Sequence, residues 1–264
     1  MRHTPQIRDL SRFFLSLSWR RLSSRWLMGL GFILPLTLLI LKLVEVGNPS
    51  LGLSVRHLFP GFVLVSFYQI YLPLMSIFFC GATFLEDVEQ QTQVYLKVLP
   101  LPYRWVFAGK WLAYAAMTWV ALLLQFATAY GIAFGSDLLS GQGWTGLLQH
   151  AAFLLLGVLA YGAFFGFLGV IFRRAMLFSL IYLMGWEVVV QYIPGMVRMM
   201  SINHYLAALI PAIRSKNSLA QIFRFTPPEP LTAVLVLLGI TVVFLLLACF
   251  LAERKEIQLR EAGE

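Results

Sequence analysis

Six long apolar runs fill most of this sequence. A helix needs about 20 such residues to cross a lipid bilayer. In chain order, spans 1 to 6 are predicted at about residues 26–44, 59–84, 105–134, 147–172, 175–194 and 230–252. Charged residues make up 12% of the chain, against about 25% in a soluble globular domain. The pattern predicts an all-α integral membrane protein, with six transmembrane helices in one domain over residues 26–264.

The positive charges predict how the chain is oriented. With the N-terminus inside, the cytoplasmic segments hold 14 of the 20 Lys and Arg residues, as the positive-inside rule requires. Both termini are therefore expected in the cytoplasm, with the spans in an inner or plasma membrane. Residues 1–25 carry apolar residues at helical spacing among arginines, which predicts an interfacial amphipathic helix. A disordered basic tail is the alternative for this segment.

Several functional classes are disfavoured by the sequence. Cys80 and Cys249 lie inside apolar runs, so packing is favoured over a disulfide or a metal site. The basic residues that give the chain a net charge of +8 flank the spans and do not form a nucleic-acid-binding patch. The only Gly-Lys pair, Gly109-Lys110, precedes Trp111 and lacks the spacing of a phosphate-binding loop. We expect no nucleic-acid partner, no metal, no cofactor and no catalytic site in this chain.

A polar segment separates spans 2 and 3, at residues 84–110. It begins with three acids, Glu86, Asp87 and Glu89, and apolar residues follow at helical spacing until Pro100 and Pro102. Proline disfavours continuation of a helix. The pattern predicts a cytoplasmic amphipathic helix over residues 85–102. Acidic side chains are unfavourable beside anionic lipid, but they suit docking on a basic protein surface. The alternative for this segment is a solvated loop.

The same segment resembles the cytoplasmic signature of permease subunits of type-2 ABC exporters. Thr92, Leu96, Pro100 and Gly109-Lys110 match that signature in register. Gln91 stands where glycine is common, and Arg104 follows the proline one place late, with Tyr103 in the usual position of the basic residue. Residues 185–206 resemble the fifth span and outer loop of some of these permeases. The specific motifs cover about a fifth of the chain.

The resemblance implies a function and a set of partners. The chain would be a permease subunit that exports a hydrophobic or amphipathic substrate by alternating access. Two permease chains, identical or paralogous, would work with two copies of a separate ATPase that binds Mg-ATP. Residues 85–102 would be the coupling helix that contacts the ATPase. The residues implied for this contact are Glu86, Asp87, Glu89, Thr92, Leu96, Pro100 and Arg104. The alternative is a stand-alone secondary transporter or channel.

Polar side chains inside the membrane are costly and therefore informative. Two stripes lie each on one helical face, and each should face protein or water. They comprise Ser66, Gln69, Pro73 and Ser76 in span 2, and Ser179, Glu187 and Gln191 in span 5. The resemblance implies that spans 2 and 5 line the translocation pathway, which makes Ser66, Gln69, Ser76, Ser179, Glu187 and Gln191 its candidate residues.

Glu187 has two interpretations. In the first, it binds a cationic or polar substrate group or forms part of an outer gate. In the second, it caps or pairs within the protein, for instance with His150 or a basic residue of a loop, and holds helices together. Two further patterns predict local structure. Gly162, Gly166 and Gly169 suit close helix packing. Apolar residues at helical spacing before Pro211 predict a short helical or re-entrant element within the outer loop, residues 195–229.

Overall fold

The protein is almost entirely helical in the part that the structure describes. The computed structural model describes residues 29, 31–48, 54–80, 103–135, 141–172, 174–190, 193, 196–210 and 228–261. No strand occurs among these residues, and the prediction of an all-α protein is confirmed for them. The helices are α1 Ile33–Gly47, α2 Val55–Cys80, α3 Tyr103–Phe134, α4 Gly141–Ile171, α5 Ala175–Glu187, α6 Ile202–Leu209 and α7 Pro230–Glu261, with a 3-10 helix at Met196–Met200.

Four of the helices are long and apolar enough to cross a membrane. They are α2, α3, α4 and α7, and their apolar stretches run over 25 to 31 residues. This finding supports a membrane protein. The predicted six spans are not confirmed, because α1 is described over only 15 residues and α5 is a shorter apolar helix. At about 1.5 Å per residue, 15 residues reach about 22 Å, less than the ~30 Å hydrocarbon core.

Helix α4 lies at the centre of the bundle. It packs against α2, α3, α5, α6 and α7. Small residues allow this close approach: a Cβ on Gly157 would lie 2.7 Å from Leu72 of α2, and one on Gly162 would lie 3.0 Å from the Cys80 sulfur. Gly166 faces Trp111 of α3. The predicted packing role of Gly162 and Gly166 is therefore confirmed.

The helix ends differ from the apolar boundaries in three places. Helix α3 begins at Tyr103, directly after Pro102 and close to the predicted residue 105. Helix α4 begins at Gly141 rather than at 147, and α7 continues through charged residues to Glu261 rather than ending at 252. Apolarity marks the part of a helix suited to lipid, whereas the backbone hydrogen bonds of the same helix continue through polar residues.

Two of the described helices contain π-helical segments. Helix α2 holds Phe59–Val63 and Ser66–Tyr71, and α5 ends with Tyr182–Glu187. Such segments are rare and frequently occur at functional sites. The sequence periodicity did not predict them. They fall on the two helices that carry the predicted polar stripes, and Glu187 is the last residue of the third segment.

Candidate functional site

A polar site in the described interior is centred on Glu187. This side chain is 1% exposed. Its Oε1 accepts hydrogen bonds from the Tyr182 hydroxyl at 2.9 Å and from the Ile202 backbone N–H at 3.1 Å. Its Oε2 accepts from the Ser201 hydroxyl at 2.5 Å and from the Asn203 backbone N–H at 3.3 Å. Four donors therefore surround the carboxylate.

These contacts explain how a carboxylate can be buried here. The first backbone N–H groups of a helix have no intrahelical acceptor, and the N-terminus of a helix attracts negative charge. Glu187 accepts from the first two N–H groups of α6. Ser201 caps the third, because its oxygen accepts from the His204 N–H at 3.4 Å. Charge-assisted hydrogen bonds of this kind offset the cost of removing a carboxylate from water.

The site also has unused hydrogen-bonding capacity. The Tyr161 hydroxyl of α4 interacts electrostatically with the Glu187 carboxylate but lies outside hydrogen-bond geometry. Both side-chain amide atoms of Asn203 are buried, and neither has a hydrogen-bond partner among the described residues. A polar group that both donates and accepts, such as water, an alcohol or an amide, would satisfy them. The Ser179 hydroxyl, about two turns earlier in α5, is also buried without such a partner.

The neighbouring part of α2 belongs to the same region. Helix α6 packs against the π-helical segment Ser66–Tyr71, and the first part of α5 packs against the part of α2 that ends at Cys80. Ser66 and Gln69 lie in that π-helical segment and are half-buried. Ser76 is fully buried and donates to the Leu72 carbonyl at 2.9 Å. The fold thus brings the helix that carries Ser66, Gln69 and Ser76 into contact with α6 and with the first part of α5.

His150 is not the partner of Glu187, which corrects one of the predicted pairings. The Tyr68 hydroxyl donates to the His150 carbonyl at 3.1 Å and also contacts His150 Nδ1 at 3.1 Å. The ring of His150 lies 5.0 Å from the ring of Phe126. His150 therefore joins α2 to α4 within an aromatic cluster, while Glu187 caps α6.

Most of the predicted coupling residues lie outside the described part of the chain. Those are Glu86, Asp87, Glu89, Thr92, Leu96 and Pro100, and Gln191 of the second polar stripe is also outside it. Arg104 lies in the first turn of α3 and is exposed, with its guanidinium carbon 6.0 Å from the centre of the Trp105 ring. Its carbonyl is 3.9 Å from the Cys249 sulfur of α7. Gly109 and Lys110 follow in α3 and are buried.

Sequence reasoning missed several residues that surround Glu187. Tyr182, Ser201, Asn203 and Tyr161 were not predicted to contribute. One signal for Ser201 was present, because serine directly before an apolar-periodic run is a typical N-cap. The contact of that cap with Glu187 had no sequence signal.

No protein-family model matches the sequence, and no curated protein matches it. The described residues contain no group of three His, Cys, Asp or Glu side chains that could hold a metal ion. A functional assignment therefore depends on the motifs and on the geometry of the helices.

Proposed function

We propose that this chain is the membrane-spanning permease subunit of an ATP-driven type-2 ABC exporter. One observation carries the proposal: α6 packs against the π-helical segment Ser66–Tyr71 of α2, while Glu187 fixes the start of α6 to the end of α5. Helices α2 and α5 carry the two polar stripes. A movement of α2 relative to α5 would therefore displace α6. We propose that α6 closes the outer end of the pathway.

The proposed route for mechanical force follows from the order of the helices. Residues 81–102, which include the predicted coupling segment 85–102, join the end of α2 at Cys80 to the start of α3 at Tyr103. A displacement of this segment by an ATPase would act directly on α2 and α3. The proposal includes six spans, both termini in the cytoplasm, two ATPase copies that bind Mg-ATP and a second permease chain, since one such chain supplies half of a pathway.

The proposed translocation pathway contains Ser66, Gln69, Ser76, Ser179, Glu187 and Gln191. Two roles are possible for Glu187 in such a pathway, and the hydrogen bonds favour the outer gate over direct binding of substrate. Each oxygen of a carboxylate has about two lone-pair sites, and the four donors around Glu187 already use them. Alternating exposure of the pathway would then be a two-state rearrangement biased by nucleotide.

The test is copurification from membranes with a matched pair of variants. A tagged chain is purified in mild detergent, and the proteins that accompany it are identified by mass spectrometry. We expect a stoichiometric ABC ATPase with the wild type and its loss in the E86K/E89K double variant, because charge reversal opposes docking on a basic surface. Glu229→Lys is the control, since Glu229 is exposed directly before α7 and is outside the proposed docking segment.

Two results would contradict the proposal. One is a chain that purifies alone in several detergents, which would favour a stand-alone transporter or channel. The other is an E86K/E89K variant that inserts normally, retains the ATPase and transports normally, which would remove the coupling role from residues 85–102.

A further inference from the structure

Two arginines lie at the same boundary of the apolar part of the bundle. The apolar stretch of α3 begins at Arg104, and that of α7 ends at Arg254. The two helices pack against each other, and the Cys249 sulfur of α7 lies 3.9 Å from the Arg104 carbonyl. In a bilayer, apolar stretches end where the hydrocarbon gives way to the headgroups. Both arginines therefore belong at the headgroup level of one leaflet.

Each arginine lies over an aromatic ring of its own helix. The guanidinium carbon of Arg254 is 4.4 Å from the centre of the Phe250 ring, and that of Arg104 is 6.0 Å from the centre of the Trp105 ring. The first contact turns the Arg254 side chain back by about one helical turn. Its guanidinium group therefore lies at the level of Phe250 and of the adjacent Cys249, where α7 contacts Arg104.

The rings and the charges are accessible from outside the protein. Phe250 is 53% exposed and Trp105 is 41% exposed, and Arg104 and Arg254 are exposed as well. Neither guanidinium group has an ion pair or a hydrogen bond with another described residue. The nearby Glu253 is half-buried, and the two positive charges outnumber its one carboxylate. The surface therefore has donors and positive charge to offer to an anion.

An exposed apolar stripe continues from Phe250 toward the middle of α7. Val243, Leu246 and Leu247 are exposed and precede Phe250 by seven, four and three residues, which places them on one face of the helix. The apolar stretch of α7 is 17% buried, against 56% to 65% for those of α2, α3 and α4. A ligand that fits the whole surface has an anionic head and an apolar tail.

We propose that the two arginines, with Trp105 and Phe250, form a binding site for the headgroup of an anionic phospholipid whose acyl chain lies along α7. A guanidinium group pairs with phosphate through two parallel N–H···O hydrogen bonds. Aromatic side chains are typical of the headgroup level, where one end of the ring is apolar and the other is wet. The site requires only that α3 and α7 span the membrane.

General attraction between basic side chains and anionic lipid is the competing explanation. Such attraction depends on the total charge at one end of the bundle and not on a particular residue. Arg174 is exposed at the start of α5, at the same end as Arg254. Arg254→Gln and Arg174→Gln therefore remove the same charge from the same end, and only the first removes a residue of the proposed site.

The test measures quenching of tryptophan fluorescence by lipid with brominated acyl chains. The full-length chain is reconstituted in vesicles of phosphatidylcholine that contain increasing amounts of brominated phosphatidylglycerol or, separately, brominated phosphatidylcholine. The part due to Trp105 is the difference between each protein and its W105F counterpart, which keeps an aromatic ring. We expect phosphatidylglycerol to quench wild-type Trp105 more strongly than phosphatidylcholine does at equal mole fraction.

R254Q should reduce this preference for phosphatidylglycerol by about fivefold, the loss expected when one basic side chain near the membrane surface is removed. R104Q/R254Q should abolish it, and R174Q should leave it unchanged. Arg254 and Arg174 are outside the residues proposed to contact the ATPase, and no ATPase is present in the assay. The result therefore stands apart from the proposed coupling function.

Three results would overturn the proposal. One is equal quenching of wild-type Trp105 by the two lipids, which would leave the arginines to a protein partner. The second is an R254Q variant that retains the full preference. The third is an R174Q variant that loses as much preference as R254Q, which would show general attraction. Thermal unfolding of each variant in detergent checks that the fold is retained.

Discussion

The hydroxyl of Ser201 donates to the carboxylate of Glu187 at 2.5 Å, across 14 residues of sequence. The same hydroxyl oxygen accepts from the His204 N–H. Ser201 therefore caps the N-terminus of α6 and also hydrogen-bonds to the buried Glu187 carboxylate. This double use fixes the direction in which α6 leaves the end of α5, because the carboxylate also holds the N–H groups of Ile202 and Asn203.

Glu187→Gln should destabilise the protein by at least about 2 kcal/mol. The amide has one acceptor oxygen where the carboxylate has two, so two of the four donors would face an NH₂ group. Hydrogen bonds to charged groups contribute about 1.5 to 3 kcal/mol each. Thermal unfolding in detergent measures the effect. Glu229→Gln, at an exposed position, should stay within about 0.5 kcal/mol of the wild type. Equal melting of E187Q and wild type would show that the four contacts do not stabilise α6.

Tyr68→Phe should cost about 1 to 3 kcal/mol. The substitution keeps the ring of this buried side chain and removes its two contacts with His150. The substitution leaves the ring nitrogen of His150 without the Tyr68 hydroxyl. An unsatisfied buried polar group costs about 1 to 3 kcal/mol. Tyr205→Phe is the control, because no hydrogen bond of the Tyr205 hydroxyl is found among the described residues. The prediction fails if the two variants lower the melting temperature equally.

The burial of several polar residues was predictable from helical spacing. Ser76, Ser179 and Glu187 each share a face with other polar residues of their span, and all three are buried in the structure. The cost of exposing polar groups to hydrocarbon is sufficient to predict this result. The start of α3 at Tyr103 lies two residues before the predicted residue 105, directly after Pro102, which disfavours helix in the residue before it.

The partners of these polar groups were not predictable. Spacing assigns a residue to a face, but the neighbouring helix decides what that face contacts. Glu187 contacts Ser201, and His150 contacts Tyr68 instead. The π-helical segments have the same origin, since tertiary packing rather than local propensity decides where an i→i+5 hydrogen bond replaces the usual one. The segment Tyr182–Glu187 is therefore visible only in the structure.

Acid should destabilise the region around His204. Burial and Arg198 lower the pKa of His204 from its usual 6.5. The folded protein therefore binds a proton at His204 less readily than the unfolded chain does. The stabilising contribution of the neutral ring is present above about pH 6.5 and is lost as the pH falls below that value. Melting temperatures between pH 5 and 8 measure this effect, and His204→Gln should reduce the loss at low pH. An identical pH profile for H204Q would contradict this assignment.

Among the glycines that the structure describes, Gly31 is the one where a single methyl group should be least tolerated. A Cβ at this residue would lie 1.6 Å from the Tyr71 hydroxyl and 2.4 Å from the side-chain amide of Gln125. The Tyr71 hydroxyl also hydrogen-bonds to Gln125. Gly31→Ala therefore has to displace either α1 or this polar pair, and overpacking of this kind costs typically about 1 to 3 kcal/mol. Gly29→Ala, whose Cβ would meet nothing within 4 Å, should be neutral.

A double-mutant cycle with Tyr71→Phe locates the clash. In the wild-type background, Y71F should destabilise by about 1 kcal/mol because it removes a hydrogen bond. In the G31A background the same change removes the nearest clashing atom, so it should cost less or should stabilise. The coupling energy of the cycle should therefore differ from zero by more than the ~0.5 kcal/mol found for independent sites. Strict additivity of G31A and Y71F would show that α1 does not pack on Tyr71 through Gly31.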